Sequence, residues 1–206
     1  MTLEVPDRVG GRLALDFVNT VDPRHAEDRR DYLASYDALL AWADAAVDEL
    51  PVGLATLRRM AAADPAVARH AHAKALELRE ALYRLLTASA GRRRVDTGDL
   101  DVVNAAIREA TDRVVLRRAR GGGVRDAWER EPSLTSPLWP VALDAWSILT
   151  EADLGRLREC PGGGDCGWLF LDTSRSGTRR WCDMRTCGNR AKARAHYAKV
   201  HPLDLR

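Results

Sequence analysis

Residues 160–190 read "CPGGGDCGWLFLDTSRSGTRRWCDMRTCGNR", and this stretch decides the architecture. It holds all four cysteines of the 206-residue chain, as Cys160-x5-Cys166, fifteen intervening residues, then Cys182-x4-Cys187. Cysteines used for packing would scatter along the chain. Two close pairs with a spacer are the plan of a four-thiolate zinc site, in which each pair occupies a turn and the spacer brings the pairs face to face. Zn²⁺ accepts tetrahedral sulfur coordination and has no redox chemistry of its own, so four thiolates make a closed, structural site for one ion. Pro161 and the three glycines after it allow a tight turn with amides aimed at sulfur, and Gly188 serves the second pair in the same way. Two disulfides are the competing reading, and they require an oxidising compartment. The N-terminal "MTLEVPDRVGGRLALDF" lacks the basic region and apolar run of a signal peptide, so a cytoplasmic location is expected.

Between the pairs, "WLFLDT" has strand formers, "SRSGT" is a turn and "RRWC" returns, which predicts a β-hairpin. "DMRTCGNRAKARAHYAKV" then predicts a helix ending before Pro202. The expected result is a small treble-clef-like module of knuckle, hairpin and helix. It is too small to bury a core alone, so the metal supplies much of its stability.

Working outward, the rest of the chain reads as mainly α with minor β. "GGRLALDFVNTV" (10–21) is a short strand or an entry turn. "SYDALLAWADAAV" (35–47) is a helix capped by Ser35 and ended by Pro51, with Leu39, Leu40, Ala43 and Val47 at helical spacing. Residues 66–90 form the strongest helix, with Ala75, Leu78, Leu82, Leu85 and Leu86 on one face and Gly91 as its stop. A helix over 99–119 has Asp99 as cap and Val103, Ile107, Ala110 and Val114 on one face. Another over 136–151 has Pro137 in its first turn and Trp139, Leu143, Trp146 and Leu149 spaced for burial. "RGGGVR" (120–125) lacks the ending of a phosphate loop and reads as a flexible connector. The expected division is a helical domain over 1–153 and a finger over 154–206.

Hydrophobic residues make up 46% of the chain, enough to fill a core, and no apolar run is long enough for a membrane span. The formal charge of +2 is unevenly spread. Residues 156–206 hold 11 Lys/Arg against 5 Asp/Glu, and residues 1–155 hold 21 against 25. A basic tail on an acidic body implies a polyanionic partner, although a solvated basic surface has the same composition. The candidate contacts to double-stranded DNA are Arg175, Arg179 and Arg180 on the hairpin, and Arg185, Arg190, Lys192, Arg194 and Lys199 on or near the helix. Arg179, Arg180 and Asn189 serve equally well as braces of the finger. RNA or protein binding by the zinc module is the main rival. His25, His70 and His72 have no partner at motif spacing, and no catalytic set stands out. Asp16, Asn19 and Thr20 either line a small-molecule pocket or brace a turn. Oligomeric state stays open, a homodimer included.

The run from Cys160 to about residue 198 resembles the CGNR zinc finger, whose tetrapeptide is here Cys187-Gly188-Asn189-Arg190. Trp168-Leu169-Phe170, Asp172, Ser174-Arg175, Arg179-Arg180-Trp181-Cys182, Met184 and Lys192 carry the resemblance. The first cysteine pair holds five residues where the family pattern has four. "GGRLALDFVNTV" resembles the start of the ABATE domain that accompanies this finger. The resemblance implies a stress-related bacterial transcription regulator, not an enzyme, with the finger on DNA at the nucleoid and the helical domain sensing a ligand.

Overall fold

The computed structural model describes residues 3–129, 131–162 and 166–200. Gly163, Gly164 and Pro202, singled out in the sequence, lie outside them. The first element is a helix, α1 (Leu13–Val18), not a strand or turn. Ala14, Leu15, Phe17 and Val18 are all fully buried and Asp16 is the one polar residue, so six residues show too little of a polar face to reveal their period. Its N-terminus is capped from a distance, as Asp144 accepts from the Ala14 N–H at 2.8 Å. Two short strands, β1 (Val21–Asp22) and β2 (Arg30–Asp31), pair antiparallel.

Helix α2 (Tyr36–Ala46) starts at Ser35, whose hydroxyl accepts from the Ala38 N–H. It ends at Ala46, before Pro51, and Val47 is its extended cap. Helix α3 (Leu54–Ala63) has no counterpart in the sequence reading. Only Leu57 of α3 is fully buried, so its apolar stripe is weak. Helix α4 (Pro65–Ala90) is the axis of the fold, with Asp64 capping it and nine buried residues along it. Helix α5 (Thr97–Thr111) is capped by Asp96. Asp99 is instead buried and bound by Arg84 at 2.6 Å.

The helix expected over 99–119 stops at Thr111, and β3 (Val114–Arg118) follows, paired antiparallel with β4 (Val124–Trp128). Val114 and Val115 suit a ladder better than a helix. The glycines of 121–123 form the tip of this hairpin, not a slack connector. Helix α6 (Trp139–Glu151) follows a 3-10 turn. It buries Trp139, Val141, Ala142, Ala145 and Ile148, whereas Trp146 is 46% exposed.

One core runs through these helices, with Phe17 and Trp42 rings 5.1 Å apart and Leu39, Leu57, Leu78, Leu82, Leu86 and Val141 around them. Each fully buried aliphatic side chain contributes about 1.5–3 kcal/mol. Beside it, Arg79 grips Asp31 with two bonds of 2.7 and 2.8 Å and Glu80 at 2.9 Å. Arg24 bonds Glu80 at 2.8 Å and lies 3.9 Å from the Tyr83 ring. These pairs satisfy two cations that would otherwise be buried alone.

Strand β5 (Leu157–Glu159) pairs antiparallel with β6 (Leu169–Leu171). A π-helical turn (Met184–Gly188) then leads into α7 (Asn189–Val200). The predicted return strand at 179–182 is absent, because the body already occupies the free edge of β6. The Asn19 side chain accepts from the Leu169 N–H and donates to its carbonyl, both at 2.8 Å, and the Leu171 N–H donates to Gly10 O at 2.9 Å. Leu157 and Leu169 belong to the helical core.

Candidate metal centre and nucleic-acid face

The β5–β6 ladder continues into the knuckle, where the Cys160 N–H donates to Trp168 O at 2.8 Å and the Gly167 N–H to Cys160 O at 3.1 Å. This places Cys160 and Cys166 at the hairpin tip. Gly162 has φ +42°, and a Cβ there would lie 2.1 Å from the Cys166 Cβ. Only glycine closes this turn. Cys187 lies in the π-helical turn, which opens with Asp183 accepting from the Arg185 N–H at 2.6 Å.

The four cysteines are buried, and their sulfurs all lie within 4.8 Å of one another. Cys166 and Cys182, from different pairs, are 3.8 Å apart, and Cys182 and Cys187 are 3.6 Å apart. Zn–S bonds of about 2.3 Å in a tetrahedron put sulfurs about 3.8 Å apart. All four sulfurs converge on one point, whereas two disulfides would separate them into bonded pairs. The site therefore fits one structural zinc ion, which Cys160, Cys166, Cys182 and Cys187 would hold.

Local donors are already aimed at sulfur. Hydrogen bonds from Cys166 and Cys182, and from the Cys182 and Gly162 amides, outweigh burial and pull the Cys160 thiol down. The bonds given to Cys160 push the Cys166 and Cys182 thiols up. A divalent cation held by the four cysteines would take the place of these shared protons and be bound by four thiolates.

Among the described residues, only Trp168 and Phe170 join the cysteines as buried members of the finger's own small cluster. The body supplies further support. The Trp168 indole N–H donates to Val21 O at 2.7 Å, the Arg24 N–H donates to Cys166 O at 2.9 Å, and Glu159 meets His25 at 2.6 Å and the Tyr83 hydroxyl at 3.1 Å. These anchors were missed in sequence, since each joins residues more than seventy positions apart.

Asp172 organises the loop after β6. It accepts from the Ser174 N–H at 2.9 Å, the Ser174 hydroxyl at 2.6 Å and the Arg179 N–H at 2.9 Å. These bonds, Ser174 first, hold its carboxyl below the usual range.

The candidate contact residues divide by what already holds them. Arg179 is a brace, not a free contact. Its guanidinium donates to the carbonyls of Trp181, Val9 and Cys182 and sits 4.4 Å from the Phe170 ring. Asn189 also braces, donating to Arg185 O at 3.0 Å. Arg180 is exposed and lies 5.3 Å from the Trp181 ring. Arg185 is exposed but paired with Asp183 at 3.0 Å. Arg175, Arg190, Lys192, Arg194 and Lys199 are exposed. Arg194 reaches Gly162 O at 3.5 Å. Arg190 borders a cavity of about 200 Å³ with Asp7, Asp22 and Asp183. Its charge opposes the burial that raises the Asp22 carboxyl.

The proposed ligand pair is structural in its visible contacts. Asn19 is fully buried on Leu169, and Asp16 accepts from the Gly10 N–H at 2.8 Å. Burial, partly offset by that bond, pushes the Asp16 carboxyl up to about 6. His25 is at the seam between body and finger, and His72 meets Leu33 O at 2.6 Å.

A helical body joined to a closed four-thiolate knuckle under a basic helix defines a zinc-finger protein. The chain belongs to the ABATE family, described as "Putative stress-induced transcription regulator", which matches residues 11–152. The CGNR zinc finger matches residues 156–200. No curated protein matches the chain. No helix among the described residues is long and apolar enough to cross a membrane.

Proposed function

We propose that the protein is a one-component transcription regulator, with a finger over 154–206 that binds double-stranded DNA and a helical body over 1–153 that reads an effector. Helix α7 carries the proposal. It buries none of its residues and presents Arg190, Lys192, Arg194 and Lys199 with no acid in the element. Most protein helices are stabilised by a packed face. This one starts on the metal-bound turn and leaves its sides to solvent, which suits a helix laid in the major groove. Arg190 and Arg194 approach base edges, and Arg175, Arg180, Arg185, Lys192 and Lys199 meet phosphates. The test is binding of duplex DNA by the full chain as salt rises. Affinity should fall with salt, and Arg190→Ala with Arg194→Ala should weaken it at least tenfold. Equal or tighter binding of single-stranded RNA would favour the RNA-binding alternative.

With Asp16 and Asn19 engaged in bracing, effector sensing moves to the groove between α4, α5 and the start of α6. This cavity of about 440 Å³ has Leu78, Val102, Leu138 and Trp139 in its walls, and Glu77, Asp101 and Glu109 against Lys74. Its size is ordinary for a small-molecule site and its charge favours an apolar cation. Tetraphenylphosphonium should bind there and tetraphenylborate should not, as read by tryptophan fluorescence.

A further inference from the structure

The hairpin β3–β4 stands on a firm base. Trp128 packs on Trp139 with ring centroids 5.7 Å apart, the Glu129 N–H donates to Arg113 O at 2.8 Å, and Arg113 pairs with Glu131 at 2.5 Å. Beyond that base it buries nothing. Leu116 is 73% exposed and Val124 is 69% exposed. The tip is closed by bonds from the Ala119 N–H to Gly123 O at 3.1 Å and the Gly122 N–H to Ala119 O at 3.2 Å. Gly122 and Gly123 supply the positive φ this turn needs. The segment is therefore a ribbon with fixed register.

Its charge is unlike that of the surrounding body. Residues 113–128 hold five arginines against one acid, Asp126, while the remainder of residues 1–155 holds 16 Lys/Arg against 24 Asp/Glu. Arg117 lies directly opposite Arg125 in the ladder. Like charges in that position destabilise a sheet. Arg125 has one distant acid, Glu49 at 3.9 Å. Arg117, Arg118 and Arg120 are exposed and have no hydrogen-bond or ion-pair partner among the described residues. The fold gains nothing from this arrangement, but a polyanion laid against the ribbon would remove the repulsion. Alternation along the strands puts Leu116, Asp126, Arg118 and Val124 on one face, and Arg117 and Arg125 on the other.

We propose that this hairpin is a second nucleic-acid contact, an arm whose arginines, carried on both faces of the ribbon, meet backbone phosphates on either side of a duplex groove. A two-stranded ribbon has the width of a major groove, and arginine is also favoured where a minor groove narrows. The proposal rests on the DNA-binding reading of the finger and adds a contact some forty residues before it in the chain.

The experiment uses the full chain and a fluorescent random-sequence duplex over a salt series, with two variants in parallel. One is Arg117→Ala/Arg118→Ala/Arg120→Ala, and the other is Arg190→Ala/Arg194→Ala. Each lost phosphate contact lowers the slope of log affinity against log salt by about 0.9. The arm variant should therefore lose about 2–3 from the slope and bind at least tenfold more weakly, with zinc content and circular dichroism unchanged. The corresponding triple lysine variant should recover most of the slope. An arm variant with unchanged affinity and slope, beside a finger variant that fails, overturns the arm and leaves the DNA reading intact. A wild-type chain that binds no duplex overturns both. An arm variant that changes the sedimenting mass instead identifies a self-association surface and also overturns the proposal.

Discussion

Helices α4 and α7 have similar compositions and opposite supports. Both are rich in alanine and carry several basic residues. Helix α4 runs for 26 residues and buries nine of them, while α7 runs for 12 and buries none. The first exists because its leucines and alanines leave water together. The second exists because a metal-bound turn nucleates it, which removes the most unfavourable step of helix formation. Buried surface therefore holds α4, and the turn at the four cysteines holds α7.

The comparison breaks most visibly at the metal. Cys182→Ser should reduce zinc from about one per chain to near none and remove the α7 contribution to far-ultraviolet circular dichroism. Apparent zinc-binding free energies of about 10–16 kcal/mol make this the largest effect. A metal-free variant with α7 intact would refute the account of that helix. Leu82→Ala should do the converse, costing the body about 2–5 kcal/mol in denaturant unfolding while zinc binding persists.

Asn19→Ala tests whether the two supports are joined. It leaves the Leu169 N–H and carbonyl unsatisfied at a buried edge, at about 1–3 kcal/mol for each group. Body and finger should both lose stability, seen as a lower melting temperature and faster zinc loss to a chelator. The smallest effect belongs to Asp16→Asn. Burial raises this carboxyl from its ordinary 3.8 to about 6, so the fold prefers it protonated. Its contribution is most favourable below pH 4 and is lost as pH rises through 6. The asparagine variant should therefore melt higher than wild type at pH 7–8, with the advantage gone near pH 4.

Local chemistry was legible in the sequence. Cysteine spacing identified the metal donors, because a closed tetrahedral site needs two turns and a spacer whatever surrounds it. Ser35 capped α2 and the leucine period marked α4, because caps and helical faces are set within a few residues. Elements with unusual burial were not legible. Helix α1 is short and mostly buried, α3 buries too little, and the run ending in Val114 switches to a strand through pairing with Trp128, which no local period reports.

The sequence by itself determined the zinc donors, the long helices and the basic character of the tail, since each depends on residue type and short spacing. Only the tertiary structure decided which arginines are free. Arg179 is held by carbonyls from Val9 to Cys182, while Arg117, Arg118 and Arg120 project from a hairpin that the sequence presented as the end of a helix followed by a connector. It also decided the partner of β6, since Asn19 and Gly10 reach its edge from about 150 positions away. Hydrogen-bond partners so distant in the chain become neighbours only when the core closes, and no spacing rule encodes them.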